Sequence, residues 1–417
     1  LLPKYNKFIL KNGLEIYHVP MNLGSDVISV NVIYRVGSRN ETMGKSGIAH
    51  MLEHLNFKST KNRKAGEFDA IVKGFGGINN ASTGFDYTHY FIKCSNKNLE
   101  KSLELYADIM ENLNLNDEEF QPERNVVLEE RLWRTDNNPF GYLFFRLFNN
   151  AFIYHPYHWT PIGFKDDIKN WSIDDIKRFH SIYYQPKNAT LLIVGDIDEK
   201  TVFNLSKKYF ENIKNRCEIP NLHTYEPVQD GEKSFVIHKQ SEVEILGLAY
   251  KIPPFKHKDR IKFEAISQYL SGGKSSLLNR VLVDEKNLAN QIDTYNLSSI
   301  DENLFIIFAV CNPGISADEL KNEILKLIEE QKENLIKDDE IEKLKNSVKS
   351  DFVYSFDNTS KVSSIYANYI MCGDIDMLFN YQDDINSLKK DDIKEAFKKY
   401  FNKSNLTIGV LKNGQKE

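Results

Sequence analysis

Residues 174–194 read DDIKRFHSIYYQPKNATLLIV, and residues 391–411 read DDIKEAFKKYFNKSNLTIGVL. The two stretches align at a constant offset of 217, close to half of the 417-residue chain. In each, an acidic start leads into a helical pattern, an aromatic pair, an Asn (Asn188, Asn405) and then an apolar strand. A repeat of half-chain length predicts two similar domains of about 200 residues each. Further out, Ile28–Tyr34 (ISVNVIY) and Thr88–Cys94 (THYFIKC) alternate apolar and polar residues as half-buried strands do. Asn98–Asn112 and Asp117–Arg134 carry helical patterns. Strands mixed with long helices, without strict βαβ alternation, give an α+β class: two homologous domains, each a mostly antiparallel sheet with helices packed on one face. Residues 213–232 (IKNRCEIPNLHTYEPVQDGE) lack periodicity and carry two prolines, so they read as a linker between domains 1–212 and 233–417.

Composition narrows the classes. A 41% hydrophobic content supports ordinary cores and excludes a disordered chain. The 54 Lys and Arg against 59 Asp and Glu leave a formal charge of −5, which offers nothing to nucleic acid or an anionic membrane. No stretch approaches the roughly 18 uncharged apolar residues of a membrane span. Cys94, Cys217, Cys311 and Cys372 are scattered and form no CxxC pair, as packed, reduced thiols are. The chain starts at Leu1, not Met, so the native start is expected upstream and a removed signal peptide would leave no trace; a soluble protein is expected, with cytoplasm and periplasm both open.

The chemistry concentrates in SGIAHMLEHL, residues 46–55. Apolar residues at 48, 51, 52 and 55 give a helical spacing, with Ser46 as the expected N-cap. On that helix His50 and His54 lie one turn apart on one face, close enough for two imidazoles to share an ion. Glu53 sits beside them, able to take a proton from a water. The pattern is the inverted form of HExxH. A catalytic zinc takes a third protein ligand. The helix DEEFQPERNVVLEERLWR (117–134) offers Glu123 and Glu130, seven apart on nearly one face, with Glu129 turned about 100° away. One carboxylate can ligate while another orients a histidine, and the spacing leaves open which does which. His155 and His158 are separated by a proline that breaks the helix needed to align them, so a structured loop is expected there.

HxxEH followed by ERNVVLEE, with Glu130 76 residues after His54, closely resembles the pitrilysin, insulysin and mitochondrial processing peptidase family. The resemblance continues through Gly76-Gly77-Ile78-Asn79-Asn80-Ala81-Ser82-Thr83, His155-Pro156-Tyr157, Pro161-Ile162-Gly163 and Tyr184-Gln185-Pro186-Lys187-Asn188. In the second half it covers Gly272-Gly273-Lys274-Ser275-Ser276 and Ser355–Ser360. It implies a zinc endopeptidase with one Zn2+ per chain, held by His50, His54 and Glu130. Glu53 is then the general base and Glu123 the acid that orients a ligand. Asn79, Asn80 and Ala81 lie on an edge strand that pairs with an extended peptide substrate.

At the 217 offset, His50, Glu53, His54 and Glu130 fall on Ser267, Leu270, Ser271 and Ser347, and the second half has no HxxEH. The second domain is therefore expected to be metal-free. Active members of the family carry an Arg and a Tyr seven residues apart after the Gly-Gly segment; here Val283 and Asn290 occupy those places. This resembles the catalytic subunit of the heterodimeric branch. It implies a dimer, with a zinc-free Arg/Tyr-bearing homologue favoured over a second copy of the same chain. The alternative reading is a non-catalytic scaffold or core-type subunit of the same family.

Overall fold

The computed structural model describes residues 2–414, so Leu1 and residues 415–417, the outer ends of the two expected domains, lie outside it. The first half contributes strands β1 (Asn6–Ile9), β2 (Glu15–Pro20), β3 (Val27–Tyr34), β4 (Ile78–Thr83), β5 (Thr88–Ser95) and β6 (Ala189–Gly195). Its helices are α1 (Ile48–Leu55), α2 (Glu67–Gly74), α3 (Leu99–Asn112), α4 (Asp117–Arg131), α5 (Pro139–Ala151), α6 (Lys165–Asn170), α7 (Ile173–Tyr183) and α8 (Glu199–Phe210). The second half follows with β7 (Lys233–Lys239), β8 (Ile245–Ile252), α9 (Arg260–Ser271), β9 (Ala289–Asn296), β10 (Asn303–Cys311), α10 (Ala317–Glu333), α11 (Asp338–Tyr354), α12 (Thr359–Cys372), α13 (Ile375–Ser387), α14 (Lys390–Tyr400) and β11 (Leu406–Asn413). No helix or strand lies between Phe210 and Lys233.

The first sheet runs β1-β2-β6-β3-β5-β4 and the second β7-β11-β8-β10-β9. Apart from the extra β1 the two orders are the same. The directions agree too: β2 with β6 and β7 with β11 are parallel, and the remaining pairs are antiparallel. Two mixed, mostly antiparallel sheets flanked by helices make this the expected α+β repeat. The quoted stretches occupy equivalent places, α7 into β6 and α14 into β11.

By contacts the chain divides into two compact units. One holds residues up to Glu129 with Trp159–His223 and Tyr354–Met371; the other holds Glu130–His158, Thr224–Val353 and the chain from Cys372 onward. In the second unit α5 lies against β7, β8 and β11. A Cβ at Gly409 or Gly247 would approach Leu143 or Leu147 of α5 to 3.0 and 3.4 Å. In the first unit β3 is buried almost along its whole length, not half-exposed as its alternation suggested. Its polar side chains are covered and paired. Asn31 donates to Leu192 O at 2.8 Å and to Ser363 Oγ at 3.3 Å, and its Oδ1 meets His89 Nε2 at 2.8 Å. Buried polar atoms with partners cost little, so period-two polarity survives inside a covered sheet.

Candidate metal centre

Helix α1 begins differently from its expected capping. Gly47, at φ 88°, is the N-cap, and the Glu41 carboxylate accepts the Gly47 and Ala49 N–H groups, each at 2.8 Å. Ser46 cannot cap because its hydroxyl donates to Asp167 and accepts the Phe164 N–H. Burial lifts the Glu41 carboxyl to about 8 despite those two donors. Gly163, at φ 73°, comes so close to the Ser46–Gly47 peptide that a Cβ there would lie 2.6 Å from Ser46 C. The Pro161-Ile162-Gly163 segment thus fixes where α1 starts. At the other end Asn56 bonds the buried Tyr90 hydroxyl at 2.5 Å.

On this pinned helix the His50 and His54 Nε2 atoms stand 3.3 Å apart. Two nitrogens held about 2.0–2.1 Å from one tetrahedral ion are separated by about 3.3 Å, so the pair already has the spacing of shared ligands. His54 Nδ1 lies 2.8 Å from Glu123 Oε1, and Lys58 Nζ lies 2.5 Å from Glu123 Oε2. The His54 hydrogen bond, with Lys58 behind it, holds the Glu123 carboxyl down to about 2 against partial burial. An ionised Glu123 only accepts, so the proton belongs on Nδ1 and Nε2 keeps its lone pair facing His50. Glu130, the penultimate residue of α4, is met by Arg134 at 2.9 Å. Ligand atoms of His50, His54 and Glu130 all lie within 4.8 Å of one another. Among the described residues this is the one group of three or more such side chains placed to hold a metal. Two imidazoles and a carboxylate suit zinc.

Glu53 lies on the same helix, and Thr83 Oγ1 donates to its Oε2 at 2.5 Å. Thr83 ends β4, which is the last strand of its sheet and has no further strand beside it among the described residues. Gly76, at φ 76°, makes the turn that leads from α2 towards that strand. Along β4, Asn79, Ala81 and Thr83 are partly buried while Ile78, Asn80 and Ser82 are exposed. Asn79 donates to Asp69 at 2.9 Å, and Asn80 Oδ1 accepts the Ala81 N–H at 2.9 Å. His155 directly precedes the short 3-10 helix Pro156–Trp159, which contains His158; His155 is bonded to Asp301 and His158 to Phe152 O. Glu41, Lys58 and Asp167 escaped sequence reading because each acts from a different loop or helix turn with no shared spacing. Thr83 lay inside a quoted motif, but nothing in its spacing linked it to Glu53.

Comparisons with known proteins point to one family. The family description "Insulinase (Peptidase family M16)" matches residues 21–157, and "Peptidase M16 inactive domain" matches residues 170–348. The chain is similar to the zinc protease PqqE of Helicobacter pylori (strain ATCC 700392 / 26695), 53% identical over 414 residues, covering 99% of this chain and 93% of that one. A crystal structure of a protease from Helicobacter pylori superposes with a TM-score of 0.97 at 52% identity, covering 99% of this chain and all of that chain. The mitochondrial-processing peptidase subunit beta of Bos taurus is 25% identical over 388 residues, 89% of this chain and 76% of its own. No helix among the described residues is long and apolar enough to cross a membrane.

Proposed function

From the premise that the chain belongs to the insulinase family, peptidase family M16, and is a zinc metallopeptidase, we propose an endopeptidase that cuts extended peptides or unfolded segments inside a chamber completed by a second chain. The observation that carries this reading is the cluster of His50, His54 and Glu130 beside Glu53 and the free edge of β4. Zinc, when bound, supplies Lewis acidity towards the scissile carbonyl and the attacking water. Glu123 holds His54 in the tautomer and orientation that ligation needs. Glu53 takes one proton as the water oxygen bonds the carbonyl carbon. It returns that proton to the amine nitrogen as the C–N bond breaks. The free edge of β4, at Asn79, Asn80 and Ala81, pairs main chain to main chain with the substrate, which leaves side-chain preference loose. A scaffold has no use for three donors held within 4.8 Å, which favours the enzyme.

The second chain follows from Val283 and Asn290. Val283 lies in the π-helix Asn279–Glu285 and its side chain offers no donor, and Asn290 on β9 is too short to stand for a phenol. A zinc-free homologue bearing the Arg and Tyr would fill both roles, in keeping with the similarity to a processing-peptidase beta subunit. Peptide cleavage by wild type and Glu53→Gln, each alone and with such a homologue, tests the proposal. Hydrolysis by wild type, raised by the homologue and abolished in Glu53→Gln with zinc retained, is expected. Full cleavage by Glu53→Gln would overturn the base assignment, and undiminished activity of the chain alone would overturn the partner.

A further inference from the structure

We infer that Thr83 is a positioning residue for the hydrolysis, fixing the Glu53 carboxylate from the strand that pairs with substrate. This rests on the reading of Glu53 as the base and goes beyond it by naming what aims that base. The Thr83 hydroxyl donates to Glu53 Oε2 at 2.5 Å, a charge-assisted bond to one carboxylate oxygen. With Oε2 held, the orientation of the carboxylate on α1 is set.

Thr83 can do this because its own place is rigid. It pairs with Thr88 at the closed end of the β4–β5 hairpin, and Gly84 N–H bonds Tyr87 O at 2.9 Å across the turn. The hairpin tip is clamped from the far side: Ser38 N–H donates to Gly84 O at 3.2 Å and Arg39 N–H to Phe85 O at 2.8 Å. Gly37 permits that approach, since a Cβ there would come within 2.4 Å of Gly84 O. Thr88 Oγ1 adds a bond to Val36 O at 2.7 Å. A side chain supported by strand pairing and a clamped turn holds its partner to the tolerance that proton transfer demands.

The arrangement also joins two functions in one element. The free edge of β4 is where an extended peptide adds, and the last side chain of the same strand aims the base. A peptide seated in register on β4 is therefore seated in register with Glu53. The carboxylate needs no separate movement on binding.

The test uses Thr83→Val, which keeps the β-branched shape and removes the hydroxyl, together with Thr83→Ser and Glu53→Gln. In Thr83→Val, kcat for a peptide substrate should fall about 10–100-fold with KM within about threefold and zinc per chain unchanged. Thr83→Ser should recover most of that loss, because it restores the donor. A Thr83→Val enzyme with wild-type kcat, or a loss in kcat that Ser fails to rescue, overturns the inference while Glu53→Gln stays inactive. If Glu53→Gln itself remains active, the base assignment fails and this inference with it. A loss confined to KM would make Thr83 a substrate-pairing residue only and would equally overturn it.

Discussion

At positions 50 and 54 the first half carries two imidazoles whose Nε2 atoms face each other across 3.3 Å. At the 217 offset the second half carries Ser267 and Ser271 on α9, and both hydroxyls bond Thr294 Oγ1, at 2.7 and 2.6 Å. The two sites have the same helix one turn deep beside the same edge strand of equivalent sheets. One closes on itself through hydroxyls that both donate and accept, so it needs nothing between them. The other sets two nitrogens at ligand spacing, with a carboxylate aligning one of them. The difference is that the fold supplies the same placement twice, while a handful of side chains decides whether that position offers ligand atoms for an ion.

The comparison breaks most visibly at the histidines. His54→Ala should remove zinc and lower peptide cleavage by more than about 10³-fold, since several kcal/mol of transition-state stabilisation go with the metal. Ser271→Ala in the second half should leave both within twofold. Elemental analysis and a peptide assay check the pair, and a comparable loss at Ser271 would erase the asymmetry.

A smaller effect is expected one layer out. Glu123→Ala should weaken zinc about 10–100-fold, as removal of a carboxylate behind a histidine ligand does. The starts of α4 and α11 lie 221 apart, one turn beyond the 217 register, so the counterparts of Glu123 and Glu130 become Leu344 and Asp351 instead of Ser347 for Glu130. Leu344 is buried, and Leu344→Ala should cost about 2–5 kcal/mol in stability by denaturant titration while zinc affinity stays unchanged.

Giving the second half what it lacks sharpens the comparison from the other side. The double variant Val283→Arg with Asn290→Tyr should raise kcat/KM of the chain alone about tenfold, the worth of one charge-assisted hydrogen bond. No gain, with the fold intact, would mean that another feature limits the lone chain.

The smallest effect concerns acid stability. The folded Glu123 carboxyl sits at about 2, below its ordinary value of 4.5, so the folded state binds fewer protons than the unfolded state between those values. Its contribution is present above 4.5 and is lost as pH falls through about 2. It is on the order of 1 kcal/mol after solvent screening. Urea midpoints measured down to pH 3 should fall less steeply for Glu123→Gln than for wild type.

The repeat was legible because α7 into β6 and α14 into β11 keep their spacing without insertion. Two histidines on one helix and a glutamate beside them were legible for the same reason, since local spacing survives translation into structure. Burial of the polar side of β3 was not, because Ser363 reaches Asn31 from more than 300 residues away. The capping of α1 was missed likewise: a Ser directly before a helix is the common cap, but Glu41 and Asp167 divide that work across tertiary contacts. Nothing local in the sequence records either arrangement.

On the proposed function, one half holds the metal and the chemistry while its equivalent half holds neither. Native mass spectrometry of zinc per chain, on wild type and on the His50→Ala, His54→Ala double variant, tests it most directly. One zinc per chain in the first and none in a folded second are predicted. Two zincs in wild type, or one persisting in the double variant, would contradict it.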